Sequence, residues 1–191
     1  MHKGRLEAFS DGVLAIIITI MVLELKVPHD ANLAVLLKLA PVLLSYVLSF
    51  IYIGIYWNNH HHLFQVTKHV DGTVLWANLH LLFWLSLVPF GSGWMGENHF
   101  ALWPVVLYGG LLLAAGAAYA LLGRALVRAN GADSAIATAL GRDRKGKLSV
   151  LIYAVSLALA FVHPYLALAG YAVVAAIWLV PDKRMEKVME H

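Results

Sequence analysis

The chain contains no cysteine and little charge. None of its 191 residues is Cys, and only 13% are Asp, Glu, Lys or Arg. Without Cys, the protein has no disulfide framework, no thiolate metal site and no cysteine nucleophile. The low charge accompanies 61% hydrophobic residues and a mean hydropathy of +0.73. A soluble domain of this size does not carry so much apolar surface, so the composition indicates an integral membrane protein.

The sequence also lacks the motifs on which many enzymes depend. No glycine-rich phosphate loop follows a strand pattern, and no G-x-S-x-G motif is present. The histidine run 60–62 is the one candidate metal site, but consecutive histidines point in different directions on a helix. Zinc-binding helices usually place two histidines four residues apart with a carboxylate in reach, and the nearest carboxylate here, Asp71, lies across a loop. We therefore expect no enzymatic activity, no resident metal and no cofactor.

Apolar segments fill most of the chain and predict an all-α fold. Six of them have the composition of membrane helices, at about 6–25, 33–58, 74–94, 101–122, 148–162 and 165–180. The last two are separated by His163 and Pro164, and we interpret them as a hairpin because about 33 residues are too many for one span. The longest hydrophilic piece, 124–147, is predicted to be a cytoplasmic linker. Residues 1–191 are thus predicted to form a single six-helix transmembrane domain.

The basic residues are distributed unevenly between the predicted loops, and this sets the orientation. If the N-terminus lies in the cytoplasm, 12 of the 14 Lys and Arg residues also lie there, and only Lys26 and Lys38 lie outside. The positive-inside rule therefore predicts six spans with both termini cytoplasmic. Because this topology accounts for the basic residues, the net charge of +3 gives no indication of nucleic-acid binding. We expect a multi-pass protein of the plasma membrane, surrounded by the lipid bilayer.

The first predicted helix carries a bulky apolar stripe with a carboxylate on its opposite face. The stripe consists of Phe9, Ile16, Ile20 and Leu23, with Thr19 at its border. At about 100° per residue, all of these lie within about 60° of Ile16. Asp11 lies about 140° round the helix, and a carboxylate in or near a membrane is costly and usually functional. Spacing alone leaves two interpretations open, a lipid-facing stripe with Asp11 buried in packing, or a stripe with a function of its own.

The start of this helix carries a motif that resembles a known family. Arg5, Phe9, Ser10 and Asp11 reproduce the pattern R-x-x-x-F-S-D, which begins the first helix in the transmembrane-protein-175 family. Members of that family are potassium-permeable channels. The animal proteins carry two six-helix repeats, whereas this chain is long enough for one. The chain is therefore identified as resembling the shorter bacterial members.

The resemblance implies that the first helices of several subunits line a pore. In the family, a bulky aliphatic residue seven positions after the motif Phe forms the narrowest ring, and that position is Ile16 here. Two tandem repeats in a dimer provide four pore helices, so a single repeat implies a homotetramer. The implied pore is ringed by Ile16, Ile20 and Leu23, with Thr19 at the border. The implied function is a channel with a hydrophobic gate for monovalent cations, in which potassium ion is the permeant species.

Selectivity in such a pore must arise without a backbone filter, because no T-V-G-Y-G sequence is present. A narrow aliphatic ring can act as a dewetting gate. Potassium gives up its hydration shell more readily than sodium, and the Thr19 hydroxyls can replace part of that water. We therefore expect modest selectivity for potassium over sodium. Glu24, near the outer mouth, either concentrates cations in an outer vestibule or is an ordinary solvated helix end.

Two further stretches resemble the same family. The pattern W-x-x-H-x-x-L-F at 57–64 resembles the end of its second helix, and W-x-N at 76–78 resembles its third. The resemblance implies a network that joins the first motif to Trp57, His60, Trp76 and Asn78. We expect Ser10 and Asp11 to bond to His60, Trp76 or Asn78, because a buried carboxylate needs charge-assisted hydrogen bonds. The other Trp and Tyr residues are predicted to be aromatic anchors at the membrane interfaces.

Two other functions remain open. A proton-coupled secondary transporter would have a substrate site near the middle of the membrane and broken helices, and Pro89 with Gly91 and Gly93 is a possible break. A non-conducting oligomeric membrane protein would use the stripe of the first helix only for assembly. Saturable, proton-coupled uptake would favour the transporter, and a tetramer without ion flux would favour the non-conducting protein. The 124–147 segment is either a topology determinant or a contact with anionic lipid.

Overall fold

The computed structural model describes residues 3–29, 31–141 and 143–179. Within these ranges the chain is almost entirely helical, and the predicted all-α fold is confirmed. The described helices are α1 (Lys3–Leu23), α2 (Leu33–Lys38), α3 (Ala40–Gln65), α4 (Gly72–Ser86), α5 (Val88–Glu97), α6 (Leu102–Asn130), α7 (Ala135–Leu140), α8 (Arg144–Ala160) and α9 (Pro164–Leu179). Residue 180, where the last predicted helix ends, lies outside the described residues. So do four basic residues of the orientation argument, Arg142, Lys183, Arg184 and Lys187.

Four stretches among the described residues are long and apolar enough to cross a membrane. They are α1, α3, the consecutive helices α4 and α5, and α6, with 21, 26, 26 and 29 residues. Even α1, at 1.5 Å per residue, is about 31 Å long, which matches the hydrocarbon core of a bilayer. The helices α8 and α9 have 17 and 16 residues, fewer than the roughly 20 that a span usually needs. A spanning role for these last two helices stays a prediction.

Two prolines divide segments that were predicted as continuous helices. Pro41 lies in the first turn of α3, just after α2 has ended, and Pro89 lies in the first turn of α5, just after α4. Proline has no backbone N–H, and its ring clashes with the carbonyl four residues earlier, so an unbroken helix rarely continues through it. The predicted helices 33–58 and 74–94 are thus each divided into two helices at a proline, and Gly72–Glu97 is still one stretch long enough to cross a membrane.

The helices α3 and α6 extend further than the sequence predicted. The first continues to Gln65, across the histidine run 60–62, and the second continues to Asn130. The connection after α3 meets the end of α6, where the Asn130 side-chain oxygen accepts hydrogen bonds from the backbone N–H groups of Lys68 and His69 at 3.0 and 2.8 Å. These bonds fix the last turn of α6 against the α3–α4 connection.

Little of the predicted 124–147 linker is irregular. It contains the end of α6, the short helix α7 and the start of α8. Ser134 caps α7, because its Oγ accepts the backbone N–H of Ala137 at 3.3 Å. Asp143 caps α8 in the same way, with its Oδ1 accepting the N–H of Gly146 at 3.0 Å. The predicted linker therefore contains a short helix, and side-chain caps begin both α7 and α8.

The helix α6 lies at the centre of the packing. It packs against α4, α5, α8 and α9, and α8 and α9 pack against each other as a hairpin. Small residues permit this close approach, since a Cβ atom on Gly109 of α6 would overlap the Tyr171 hydroxyl of α9. The helix α1 packs against α3, α4 and α5. These contacts determine which face of α1 is covered and which is open.

Candidate pore-lining site

One face of α1 packs against the rest of the chain. Its residues recur at intervals of three or four, as expected for 3.6 residues per turn, and all are buried. They are Leu6, Ser10, Leu14, Ile17 and Met21. Four of the five are apolar and belong to the main hydrophobic core. This packing fixes the rotation of α1 about its own axis.

The other face of α1 is open in the single chain. It carries the stripe predicted from the sequence, and the exposed fractions of Phe9, Ile16, Ile20 and Leu23 are 55%, 59%, 43% and 77%. A continuous apolar surface of this kind marks a contact with lipid or with another protein surface. In a membrane, the stripe therefore faces either the acyl chains or other copies of the same helix.

Thr19 lies beside this stripe, and a hydrogen bond within α1 fixes the orientation of its hydroxyl group. Its Oγ1 donates a hydrogen bond to the backbone carbonyl of Ala15 at 2.9 Å, within the same helix. The hydroxyl proton is therefore engaged, whereas the lone pairs of the oxygen remain available on the open face. An oxygen that accepts and does not donate is suited to a cation rather than an anion.

A buried polar network holds the packed face of α1 in place. Asn78 Nδ2 donates to Ser10 Oγ at 2.9 Å, and Ser10 Oγ in turn donates to the Leu6 carbonyl at 2.9 Å. The Asn78 side-chain oxygen lies 2.8 Å from His60 Nε2. Because that oxygen can only accept, His60 Nε2 carries the proton. The three side chains are buried and come from α1, α3 and α4, so the network ties these helices together.

Asp11 has a different partner from the ones predicted. Its Oδ1 accepts a hydrogen bond from Trp57 Nε1 at 3.1 Å, and both side chains are exposed. Successive helix residues point about 100° apart, so when Ser10 faces the core, Asp11 lies at the edge of the packed face. Trp76 is 74% exposed and takes no part in either contact. The expectation that Asp11 bonds to His60, Trp76 or Asn78 is therefore corrected, and its partner Trp57 is another member of the network that the resemblance implied.

We expect the Asp11→Ala variant to fold as a single chain but to assemble poorly. The lost hydrogen bond is exposed, so the free energy of unfolding should fall by only about 1 kcal/mol. Trp57, once released, borders the open face of α1, where copies of the chain would meet. Size-exclusion chromatography with light scattering measures the oligomer fraction. Asp133→Ala, at an exposed turn, is the control, and a stable, fully conducting Asp11→Ala oligomer would refute this role.

The two basic residues at the start of α1 have different environments. Lys3 Nζ donates to the backbone carbonyl of Phe64, near the end of α3, at 2.9 Å. Sequence reasoning missed this contact because the acceptor is a main-chain group, which leaves no mark in the sequence. Arg5 is exposed and makes no hydrogen bond or ion pair with the described part of the chain. Its guanidinium can therefore reach groups outside the single chain.

A second polar cluster, formed by tyrosines, was also missed. Tyr52 Oη donates to the Tyr171 carbonyl at 2.6 Å, and Tyr153 Oη donates to Tyr52 Oη at 3.1 Å. Ser49 Oγ and Tyr108 Oη lie 2.9 Å apart. All of these side chains are buried. The prediction that these tyrosines are anchors at the membrane interface is therefore wrong. They join α3 and α6 to the α8–α9 hairpin.

Three charged groups meet at the far end of α1. Lys26 Nζ forms an ion pair with Glu97 Oε1 at 2.9 Å, which joins the segment after α1 to the end of α5. The Glu24 carboxylate lies against Gly93 of α5. Partial loss of water and, to a smaller extent, the charge of Glu97 raise the pKa of Glu24 above its ordinary value. Glu24 is thus protonated more easily than a fully solvated glutamate.

The three consecutive histidines of α3 have separate environments. His60 belongs to the buried network, and His61 Nε2 lies 2.7 Å from Gln65 Nε2 while its ring stacks on Trp57. His62 Nδ1 is buried and has no hydrogen-bond partner among the described residues. In the same ranges, no three His, Cys, Asp or Glu side chains come together as metal ligands.

Comparison with known proteins relates this geometry to a family. The sequence profile of the family described as the endosomal/lysosomal potassium channel TMEM175 matches residues 5–89, a range that includes all three motifs. A potassium channel from Chryseobacterium sp. is 54% identical over 190 residues, which cover 100% of this chain and 99% of that protein. A potassium channel from Chamaesiphon minutus is 39% identical over 102 residues, which cover 50% of each chain.

The three-dimensional structure agrees with these sequence matches. The crystal structure of a lysosomal potassium-selective channel TMEM175 homolog from Chamaesiphon minutus has a TM-score of 0.79 with this chain, at 29% sequence identity. The match covers 93% of this chain and 96% of that one. The relatives are ion channels rather than enzymes, and the resemblance noted from the R-x-x-x-F-S-D motif is confirmed. The chain is therefore a multi-pass membrane protein that belongs to the TMEM175 family.

Proposed function

We propose that four copies of this chain form a potassium-selective cation channel whose pore is lined by α1. The observation that carries this proposal is the open face of α1, where a continuous aliphatic stripe lies opposite a face fixed by packing and by the Ser10–Asn78–His60 network. One helix per chain cannot enclose a pore, so symmetry-related copies must provide the other walls. The bacterial relatives are named as potassium channels, which supports potassium as the permeant ion.

Small residues beside the stripe support contact between copies of α1. Ala8, Gly12 and Ala15 are exposed in the single chain, and they lie about 40° to 100° from Ile16 on one side. Small residues let membrane helices approach closely. A Cβ atom at Gly12 would meet no atom of its own chain within 4 Å. In a ring of four, this side of α1 contacts the next copy along the part of the helix before Ile16, and the bulky stripe faces the central axis. Thr19 lies on the same side but after Ile16, where the open face borders the pore.

Ile16 forms the constriction in this arrangement, and Thr19 follows it by three residues, or about 4.5 Å along the axis. A ring of aliphatic side chains narrow enough to exclude water blocks hydrated ions and acts as a hydrophobic gate. An ion that passes must give up part of its hydration shell, which costs potassium less than sodium. The outward lone pairs of Thr19 replace some of the lost water. The result is modest selectivity for potassium over sodium.

In this proposal each chain crosses the plasma membrane six times, with both termini in the cytoplasm. The helices α8 and α9 would be about 25 Å long, somewhat shorter than the bilayer core. Local thinning of the bilayer accommodates such a mismatch at modest cost. The basic residues in the connection after α3, near the end of α6 and at the start of α8 favour the cytoplasmic side by the positive-inside rule.

Flux from liposomes tests the channel proposal. Purified protein is reconstituted with potassium or sodium inside, and ion efflux is compared with that from protein-free liposomes. We expect potassium efflux that is faster than sodium efflux and independent of a proton gradient. Saturable flux that stops when the proton gradient is dissipated would instead support a secondary transporter. A well-folded tetramer with no flux would support a non-conducting protein.

We expect Thr19→Val to lower the permeability ratio of potassium to sodium by about twofold, which corresponds to a loss of about 0.4 kcal/mol. The substitution removes the oxygen but keeps the shape of the side chain. Folding should not change, because the lost hydrogen bond lies on the exposed face of its own helix. Reversal potentials in bilayers measure the ratio, and Thr138→Val in α7 is the matched control. An unchanged ratio would mean that Thr19 faces away from the ions.

Conduction at low potassium concentration should fall as the pH is lowered, if Glu24 concentrates cations. Protonation removes its charge, and the raised pKa places this loss at a higher pH than for an ordinary glutamate. The charged groups around it are Glu97 and Lys26. Flux measured as a function of pH should be flatter in Glu24→Gln. In Glu97→Gln the loss of conduction should occur at a lower pH, because the charge of Glu97 no longer raises the pKa of Glu24. The same pH dependence in Glu24→Gln and the unmodified protein would contradict this role.

A further inference from the structure

A large cavity opens between α3, α6, α7, α8 and α9, at the end of the bundle where α6 ends and α8 begins. Its volume is about 790 Å³, which lies within the range of cavities that hold small ligands. No residue of α1 lines it. The proposed pore therefore does not account for this cavity.

One wall of the cavity is apolar and aromatic. It includes Ile55, Tyr56, Ala117, Tyr119 and Tyr153. Gly116 keeps this wall open, because a Cβ atom there would have only the Tyr56 hydroxyl within 4 Å, at 3.8 Å. The wall is formed by parts of α3, α6 and α8, so it is lined by helices rather than by loops.

The other wall of the cavity is strongly basic. It includes Arg124, Arg128, Arg144, Lys145 and Lys147. The single carboxylate among the lining residues, Asp143, already accepts the backbone N–H of Gly146 at the start of α8. Within the described ranges, the four basic residues other than Lys145 have neither an ion pair nor a hydrogen bond. Their charges are thus free to bind an anion.

Aromatic residues lie at the border between the two walls. Trp178 Nε1 donates to Ser149 Oγ at 2.8 Å, and Lys145 Nζ lies 5.8 Å from the centre of the Trp178 ring. Trp and Tyr side chains are typical of the depth at which membrane and water meet. A membrane surface at the depth of Trp178 would bring lipid phosphate groups to the basic wall and acyl chains to the apolar wall.

We propose that this cavity binds one anionic phospholipid per chain. Its phosphate group lies among the guanidinium groups of Arg124, Arg128 and Arg144, which suit phosphate oxygens because they donate paired hydrogen bonds. One acyl chain runs along the apolar wall past Gly116. A free phosphate ion would use only the basic wall, and a zwitterionic lipid would bring a cationic group to it. An anionic lipid uses both walls.

Lipid binding to the delipidated protein tests this proposal, with native mass spectrometry as the readout. The probes are phosphatidylglycerol, phosphatidylcholine with the same acyl chains, and inorganic phosphate. We expect saturable binding of one phosphatidylglycerol per chain, with at least about tenfold weaker binding of phosphatidylcholine. Inorganic phosphate at the same concentration should not displace the lipid.

Two pairs of variants test the two walls separately. For the basic wall, the Arg124→Gln/Arg128→Gln double variant should weaken phosphatidylglycerol binding at least about tenfold. Lys68→Gln, at the same end of the bundle but outside the cavity, should not weaken it. For the apolar wall, Gly116→Leu should block binding, whereas Gly110→Leu on the same helix should not. Circular dichroism and oligomer size verify that each variant is folded.

Three results would overturn the proposal. Equal binding of phosphatidylglycerol and phosphatidylcholine would mean that the basic wall does not select the headgroup. Displacement of the lipid by inorganic phosphate would reduce the site to a simple anion site. Full binding in folded Gly116→Leu protein would mean that the acyl chain lies elsewhere, for example at a contact between two copies of the chain. None of these results depends on whether the protein conducts ions.

Discussion

Replacing Ile16 with asparagine is expected to increase potassium leak through the reconstituted protein by about tenfold and to bring the potassium-to-sodium ratio close to one. In the proposed tetramer, the ring of Ile16 side chains excludes water, and the barrier to an ion is the cost of entering that dry region. Under the same proposal, four amides at this level would hold water in the ring. A barrier lowered by about 1.4 kcal/mol gives a tenfold rate. Liposome efflux and reversal potentials measure the two effects.

Val22→Asn is the matched control for this experiment. Val22 lies on α1 and is exposed in the single chain, but it points about 120° away from Ile16. The same chemical change there should leave both leak and selectivity near their original values. Ile16→Ala, which widens the ring without adding a polar group, should give an intermediate leak. If flux and selectivity of Ile16→Asn equal those of the unmodified protein, Ile16 is not the constriction.

Replacing Asn78 with leucine is expected to lower the free energy of unfolding by about 3 kcal/mol. The substitution leaves the His60 Nε2 proton without an acceptor and removes the donor to Ser10, both in buried positions. An unsatisfied buried polar group costs about 1–3 kcal/mol. Titration with a denaturing detergent, followed by circular dichroism, measures the change. Asn98→Leu, at an exposed helix end, should change the stability by less than about 0.5 kcal/mol.

A double variant separates the polar network from simple packing. His60→Phe combined with Asn78→Leu replaces both partners by apolar groups, which can be nearly neutral. The His60 ring already packs on the ring of Phe64, with centroids 4.6 Å apart, so a phenyl ring has a suitable neighbour. We expect the double variant to be more stable than Asn78→Leu alone. If the two are equally unstable, the hydrogen bonds are not the reason for the loss.

Hydropathy alone predicted the class of fold and the approximate positions of the long helices. It did not predict the breaks at Pro41 and Pro89, although proline is a known signal for a helix start. Hydropathy reports the length of an apolar segment and not the number of helices within it. One membrane span can therefore contain two helices joined end to end. The helical ends of α3 and α6 depend on Asn130, whose partners are main-chain groups far away in the sequence.

For the site, helix periodicity predicted the open stripe, and family resemblance predicted the residues near the buried network. The structure brings Ser10, His60 and Asn78 together, and it leaves Trp76 out. Spacing could not predict that Asp11 bonds to Trp57. Ser10 and Asp11 point about 100° apart on α1, so the rotation of the helix about its axis decides which of them is buried. That rotation is set by tertiary packing.

The tyrosines show a similar limit of sequence reasoning. Tyr52 and Tyr153 are of a residue type that often anchors helices at the membrane interface, but they lie in a buried cluster between α3 and the α8–α9 hairpin. A tyrosine in an apolar segment can lie at the membrane surface or in a satisfied internal network. Only the position of its neighbours distinguishes the two, and these neighbours are about 100 residues away in the chain.

Single-cysteine scanning of α1 in the conducting protein is the most direct test of the central claim. The chain has no native cysteine, so each variant carries one thiol. A water-soluble cationic thiol reagent reacts with thiols in an aqueous pore and not with thiols in lipid or in the core. We expect it to reduce flux through variants with cysteine at Ile16, Ile20 or Leu23, and not at Ile17 or Met21. Block at the packed positions, or no block at the stripe, would contradict a pore lined by the open face of α1.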